Sequence, residues 1–168
     1  MLSSWLLRGV VMTVVHVLAR VLLGIAIIEA PLHSTVWKTI VVAVVVLVAL
    51  LWGGVDGIAD ARANADPDDY ADLTLRWLKA GVLAGVLAGI ISWIVGSFAF
   101  DGIGQASLWV EIFAGGSFTA LIIFAPAFLG AAVGRFLVRR DQRNKDRDSD
   151  DWSAHPDAAP TEQIERVG

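Results

Sequence analysis

A histidine and an arginine lie one helical turn apart inside a strongly apolar run near the N-terminus. The segment "VVHVLARVLLGIAII", residues 14–28, contains His16 and Arg20 among aliphatic side chains. An imidazole changes its charge near neutral pH, and a guanidinium binds carboxylates and phosphates. Together the two groups could bind an anionic solute and couple its binding to protons. The surrounding composition indicates whether they lie in water or in lipid.

The composition is that of a membrane protein. The 168 residues are 56 % hydrophobic and 18 % charged, whereas soluble domains are about 45–50 % apolar and about 25 % charged. The chain has no cysteine, which excludes disulfides and thiolate metal sites. It also has no HExxH motif, phosphate-binding loop or Ser/His/Asp arrangement. We therefore predict an integral membrane protein that is not an enzyme, with no metal, cofactor or nucleic acid.

Four runs are long and apolar enough to span a hydrocarbon core of about 30 Å, which needs about 20 helical residues. We expect an all-α fold, with a bundle of four transmembrane helices over residues 1–138. A tail of mixed charge with few aliphatic residues follows over 139–168, and we expect it to be disordered and cytoplasmic. Tryptophans near the span ends support these boundaries. The spans are about 5–29, 36–58, 73–96 and 108–138.

Basic residues indicate the orientation of the chain in the membrane. Lys and Arg are concentrated before the first span, between the second and third, and after the fourth, whereas residues 97–111 contain none. By the positive-inside rule both termini are cytoplasmic, and the plasma membrane is the expected location. The strong bias predicts that any homo-oligomer is parallel. Arg135, Arg139 and Arg140 are expected to contact anionic lipid headgroups.

Small residues and a proline predict how the helices pack. Gly81, Gly85 and Gly89 are spaced by four residues, so they lie on one side of the third helix and allow a close helix contact in lipid. Packing within the bundle is the favoured interpretation, and homodimerisation or a substrate path are the alternatives. Pro126 removes a backbone donor and frees the carbonyl of Ile122, which predicts a kink.

The connection between the second and third spans contains several aspartates, which could suggest a cation site. Asp66, Pro67, Asp68 and Asp69 follow the pattern of an N-cap, a proline in the first position and acids favoured by the helix dipole. The stretch lacks the glycine and the closing glutamate of a calcium-binding loop. We therefore predict helix capping here.

Arg20 needs a partner because it lies inside the apolar slab. A helix rises 1.5 Å per residue, so Arg20 is about 13 Å from Glu29 at the outer end of its span, and a buried arginine is costly. The candidate partners are Glu111, the carbonyl of Ile122 and a bound anion. One interpretation is structural, with an Arg20–Glu111 ion pair and His16 bonded to a carbonyl.

The other interpretation is a path for a substrate or for protons. His16, Arg20 and Glu111 would line it, and Asp56, with Asp60 one turn later, would form its cytoplasmic mouth. Aspartates at such a position also serve simply to solvate a helix end. The residues themselves leave both interpretations open.

The stretch "WGGVDGIADARANADPDDYADLTLRWLKAG", residues 52–81, together with "HVLARVLLG", resembles a family of short actinobacterial membrane proteins. These four-helix proteins are described as bacterial drug/metabolite transporter-like. The resemblance covers about residues 2–140 and implies transport. Small multidrug exporters are similar in having four short helices and acting as dimers, but they use a membrane glutamate in the first helix. Here no acid precedes Glu29, and Arg20 suits an anion better.

The leading hypothesis is therefore a small transporter-like protein that moves a small solute, which could be an anion, across the plasma membrane. Four helices rarely enclose a pathway alone, so we expect a homo-oligomer. The alternative is a non-transporting scaffold or regulator that acts through the glycine face and the charged tail.

Overall fold

Four long helices account for most of the chain. The structure is a computed structural model that describes residues 2–98 and 107–154, and this part contains no strand. Helix α1 is Leu2–Glu29, α2 is Ser34–Ala63 and α3 is Leu73–Phe98. Short 3-10 turns, Pro31–His33 and Pro67–Asp69, lie in the first two connections. All four long helices have the length and apolar composition needed to cross a membrane.

The fourth helix, α4, runs without interruption over residues 108–154 and changes its winding once. It begins as an α-helical turn, Leu108–Val110, continues as a π-helical turn, Glu111–Gly115, and then becomes the α-helix Gly116–Ala154. Pro126 lies inside this last part, and the helix continues on both sides of it. The connection before α4 belongs to residues 99–106, outside the described part of the chain.

The helices pack in the order α1, α3, α4, α2 around the bundle. Helix α2 packs extensively on α4, α3 packs on both α1 and α4, and the contact between α1 and α2 is smaller. Helices α1 and α4 are thus diagonal neighbours. Side chains that join these two helices must reach across the bundle.

The glycines of α3 are used within the chain. A Cβ atom built on Gly81 would lie 2.9 Å from the carbonyl oxygen of Ala120, and one built on Gly89 would lie 2.9 Å from that of Glu111. A Cβ on Gly85 would collide with the backbone of Gly116. This face is therefore covered by α4, and it is not exposed for the homodimer considered above.

A second close helix pair, between α2 and α4, was not predicted from the sequence. Gly53 and Gly57 lie directly against the backbone of Ala127 and Ala131. Gly130, on the other helix, lies against the backbone of α2 in turn. The spacing of four residues between Gly53 and Gly57, the same signal as in α3, could have indicated this contact.

The tail differs from the expectation for residues 139–168, because the helix continues to Ala154. Residues 139–154 contain no glycine or proline, so nothing in the sequence breaks the helix before Pro156. Asp141 and Lys145 form an exposed ion pair of 2.9 Å at the i,i+4 spacing, which supports a solvated helix. Residues 155–168 of the predicted disordered tail lie outside the described residues.

In the acidic connection Asp66 is an N-cap, as predicted, although of the 3-10 turn Pro67–Asp69, while α3 is capped by Asp72, which was not predicted. An Asp66 carboxylate oxygen accepts a hydrogen bond of 3.0 Å from the backbone N–H of Asp68. Asp72 accepts one of 2.8 Å from the N–H of Leu75 in the first turn of α3. Across residues 2–98 and 107–154, no group of three or more acidic or histidine side chains could bind a metal ion.

Candidate functional site

Two clusters of polar and charged side chains lie in the bundle. The groove cluster consists of His16, Arg20, Glu111 and Thr119 and joins α1 to α4. The end cluster lies where α1 begins and α2 ends. It consists of Arg8, Asp56, Asp60, Trp77 and Arg135.

An ion pair crosses the bundle diagonal in the groove cluster. Arg20 Nη1 donates to Glu111 Oε2 over 3.0 Å, and its Nη2 donates more weakly to Oε1 over 3.4 Å. The Glu111 side chain is 11 % exposed and that of Arg20 is 25 % exposed. Of the three partners considered for Arg20, the structure places Glu111 beside it.

His16 bonds to a hydroxyl group, not to the carbonyl that was expected. Its Nε2 lies 3.0 Å from Thr119 Oγ1, which is also 2.8 Å from the carbonyl oxygen of Gly115. A threonine hydroxyl has one proton. Both contacts are hydrogen bonds only if Thr119 donates to Gly115 and accepts from an Nε2–H of His16.

This tautomer leaves Nδ1 of His16 as a hydrogen-bond acceptor. His16 is 8 % exposed, and its Nδ1 is buried without a hydrogen-bond partner among the described residues. Buried polar atoms normally have a partner, and each exception needs an explanation. His16 is also one of the residues that line the groove described below.

The π-helical turn positions Glu111. It begins at Glu111, and its backbone packs against α3 at Gly89, where only a glycine allows this approach. A π-helical turn is rare and occurs frequently at functional sites. Sequence periodicity assumes 100° per residue throughout a helix and therefore missed this turn. The pair Gly115–Gly116 at its end is the one local signal in the sequence.

The groove cluster lines an open groove with a volume of about 420 Å³. This is within the range of about 300–1,000 Å³ that is usual for small-molecule sites. Its walls come from three helices and are otherwise apolar, so the polar groups are concentrated on one side. The apolar lining includes Leu23 of α1, Val41 and Val42 of α2, and Phe118 of α4.

An apolar layer separates the groove cluster from the end cluster. Met12, one turn before His16 on α1, is fully buried, as is Ile123 of α4. The ring of Trp77, whose Nε1 belongs to the end cluster, packs against the same core. These side chains belong to one continuous core. The groove is therefore closed toward the end of the bundle at which α1 begins.

The end cluster contains two further ion pairs. Arg8 donates to both carboxylate oxygens of Asp56 over 2.7 and 2.6 Å, and Trp77 Nε1 donates to the same group over 3.0 Å. Arg135 donates to Asp60 over 2.5 Å and to the carbonyl of Ala71 over 2.6 Å. The two ion pairs thus link α2 to different helices, Asp56 to α1 and Asp60 to α4.

Asp56 does not lie with the other predicted path residues. Its partner Arg8 is eight residues before His16 on α1, which is about 12 Å along the helix. The structure therefore brings together His16, Arg20 and Glu111 and adds Thr119, while Asp56 serves the end cluster. The guanidinium of Arg135 also lies in the end cluster, where it donates to Asp60 and to the carbonyl of Ala71. These bonds compete with the lipid contact that was predicted for Arg135.

Beyond the bundle, α4 presents a face of four arginines. This arginine face consists of Arg139, Arg140, Arg143 and Arg147, which lie within about 100° of the helix circumference at 100° per residue. They line a shallow surface depression of about 440 Å³ together with Phe136 and Asn144. Arg139 also lies over the ring of Tyr70, 5.5 Å from its centre.

The chain matches no protein-family model and no curated protein sequence. The expected membership of a transporter-like family therefore stays a prediction. The geometry of the groove cluster is the basis for the function proposed below.

Proposed function

We propose that the protein spans a membrane with its four helices and binds a small polar solute in the groove, as the subunit of a transporter. One observation is decisive for this proposal. A buried histidine and an ion pair line an open groove between helices that are otherwise apolar. Charged groups within membrane spans are costly and usually mark solute or proton pathways.

The outer surface of the bundle supports the membrane assignment. Large aliphatic side chains point away from the core on each helix, and Leu22, Leu51 and Leu121 are 62, 66 and 63 % exposed. Such a surface would aggregate in water, whereas a hydrocarbon environment accommodates it. The end cluster and the arginine face lie at one end of the bundle, which we assign to the cytoplasm by the positive-inside rule.

Helix packing alone does not explain why the groove cluster contains an ion pair. Apolar residues of similar volume often replace a buried ion pair without loss of stability. Arg20 is also placed where a solute can reach it, because its side chain lines the groove and is one-quarter exposed. A binding role gives a reason to keep these charges.

Transport also requires the groove to open toward the cytoplasm. In the proposed cycle the apolar layer parts, and the pairs Arg8–Asp56 and Arg135–Asp60 close the cytoplasmic side in the state described here. Alternating access of this kind is usual in transporters. The small interface between α1 and α2 is the place where separation would disrupt the fewest contacts.

We propose a parallel homo-oligomer as the working unit, because four helices rarely enclose a continuous path alone. The glycine face of α3 is covered within the chain, so a second copy would use another surface. The same fact weakens the alternative of a scaffold acting through that face. The arginine face remains available for anionic lipid, and Arg139, Arg140 and Arg143 are the residues that we assign to this contact.

Solute counterflow tests the proposed function on several classes of solute at once. Liposomes containing the purified protein are loaded with a mixture of unlabelled amino acids, carboxylic acids and amines, and the same mixture in isotope-labelled form is added outside. Mass spectrometry then measures which labelled solute accumulates. We expect at least one to accumulate above the level in protein-free liposomes.

Two double variants act as matched comparisons. Arg20→Leu with Glu111→Leu removes the ion pair of the groove and should abolish the accumulation. Asp141→Ala with Lys145→Ala removes an ion pair from the exposed part of α4 and should leave it unchanged. Accumulation equal to that of protein-free liposomes for every solute would overturn the proposal.

A further inference from the structure

We infer that the groove cluster binds a small zwitterion with a primary ammonium group, such as an amino acid. This inference rests on the proposed function and specifies its substrate class. It follows from the charge balance of the ion pair, from the unpartnered nitrogen of His16 and from the lining of the groove.

Charge balance excludes a simple ion as the preferred ligand. Arg20 and Glu111 neutralise each other in the structure. An anion that took over Arg20 would leave the Glu111 carboxylate without a partner in a buried position, and a cation at Glu111 would leave Arg20 unpaired. An uncompensated buried charge is strongly unfavourable. A zwitterion satisfies both groups at once, with its anionic group at Arg20 and its cationic group at Glu111.

His16 adds a requirement for a hydrogen-bond donor. When the imidazole is neutral and its Nε2–H donates to Thr119, its Nδ1 can only accept, and it is buried without a partner among the residues described. An ammonium group has three N–H donors, enough for Nδ1 as well as for Glu111. Because Nδ1 is covered in the structure, the imidazole must turn toward the groove when the ligand binds. A quaternary ammonium has no N–H and leaves Nδ1 unsatisfied.

The dimensions of the groove fit a small ligand. His16 and Arg20 are one turn apart on α1, with their Cβ atoms about 5–6 Å apart, so both line the same part of the groove. The remaining walls include Leu23, Val41 and Val42, which favour a short aliphatic side chain. Together these features indicate a compact, largely apolar amino acid.

Two sources could supply this chemistry. One is a free amino acid, and the other is the headgroup of an ethanolamine phospholipid, in which a phosphate and a primary ammonium are close together. Both satisfy the same three groups, so the test includes a soluble and a lipid arm.

Thermal unfolding of the detergent-purified full chain is the test. The soluble probes are L-alanine, propionate, propylamine and glycine betaine, which separate the zwitterion, the anion, the cation and the zwitterion without N–H. The lipid probes are short-chain phosphatidylethanolamine and phosphatidylcholine. We expect L-alanine to raise the unfolding temperature more than the three other soluble probes. A rise with the ethanolamine lipid but not with the choline lipid or L-alanine supports the inference with a lipid as the source.

A variant isolates the contribution of His16. Gln in place of His16 keeps an amide donor for Thr119 but has no acceptor at the position of Nδ1, because its one acceptor is the amide oxygen next to that donor. We expect His16→Gln to weaken the binding of the active zwitterion about tenfold, the usual effect of losing one hydrogen bond to a charged group. If this variant does not fold, the wild-type comparison of L-alanine with glycine betaine still decides the role of the N–H donor.

Two results of the thermal unfolding test would contradict the inference. An equal or larger rise with propionate, propylamine or glycine betaine would overturn the inference, and so would no rise with any probe. If counterflow nevertheless shows uptake of another solute, the proposed function stands and only the substrate class is wrong. If counterflow is also negative, both are wrong.

Discussion

At the scale of single residues, the ion pair between Arg20 and Glu111 accounts for the most unusual feature of α1. The arginine interrupts an apolar helix, and its partner comes from the π-helical turn of α4. Each charge makes the other tolerable in the bundle. The effects of replacing Arg20 and of replacing Glu111 on the free energy of unfolding should therefore not be additive.

Replacing Arg20 alone should destabilise the protein. Arg20→Leu leaves the largely buried Glu111 carboxylate without its partner, and we expect a loss of about 3 kcal/mol in the free energy of unfolding. Adding Glu111→Leu should recover most of this loss, because no uncompensated charge remains. Chemical unfolding in detergent measures all three variants. Additive effects of the two substitutions would contradict this coupling.

Much of this site could be predicted because helical periodicity is simple. His16 and Arg20 share a face at the i,i+4 spacing, and Glu111 was among the few polar groups able to meet Arg20. The interaction of His16 with Thr119 depends on a rotation of α4 that the π-helical turn determines. The partners of Asp56 could not be predicted, because two aspartates at a helix end give no indication of which basic residues will reach them.

At the scale of helices, backbone contact at glycines positions the groove. Helix α4 lies between α3 and α2, and glycines allow close approach on both sides. This packing fixes the position of Glu111 and Thr119 relative to α1. Changes far from the groove but within these contacts should therefore affect the whole bundle.

Two neighbouring glycines of α2 provide a matched pair of substitutions. A Cβ at Gly57 would collide with the backbone of Ala131, whereas one at Gly54 has its nearest neighbour 3.7 Å away, which is ordinary contact. We expect Gly57→Ala to lower the free energy of unfolding by about 1–3 kcal/mol through overpacking. Gly54→Ala should leave it unchanged or raise it, since alanine favours a helix. Equal effects of the two would contradict the α2–α4 contact.

The helical extension of α4 makes a prediction about lipid. Arg143 belongs to the arginine face, whereas Lys145 lies on another side of the helix and pairs with Asp141. Arg143→Gln should reduce the phosphatidylglycerol that native mass spectrometry detects on the protein, because each basic residue near the headgroups contributes about 1 kcal/mol. Lys145→Gln removes the same charge and should have little effect. Equal losses in the two variants would show a non-specific charge effect instead.

At the scale of the whole molecule, composition and span length predicted the four-helix architecture, since these properties depend on little else. The order of the helices and the separation of two polar clusters by an apolar layer depend on tertiary packing. The length of α4 beyond the bundle was underestimated because low hydrophobicity was taken as disorder, although residues 139–154 contain no helix breaker. A polar segment that would not form a stable helix as an isolated peptide can still be helical where it continues a buried helix.

The proposed function requires that water reaches the groove cluster from outside the cell. The chain has no cysteine, so single cysteines can be labelled with a membrane-impermeant maleimide in intact cells. The test position is Ala114, which lines the groove and is exposed. Leu121, which is 63 % exposed on the apolar outer surface, and Asp68, in the connection assigned to the cytoplasm, are the comparisons.

We expect Ala114→Cys to be labelled from outside, while Leu121→Cys and Asp68→Cys are not. Inside-out vesicles should reverse the result for Asp68→Cys and leave Ala114→Cys unlabelled. Labelling of Asp68→Cys in intact cells would contradict the orientation. If Ala114→Cys resists labelling from outside as Leu121→Cys does, the groove is filled with lipid and the proposed solute site is contradicted.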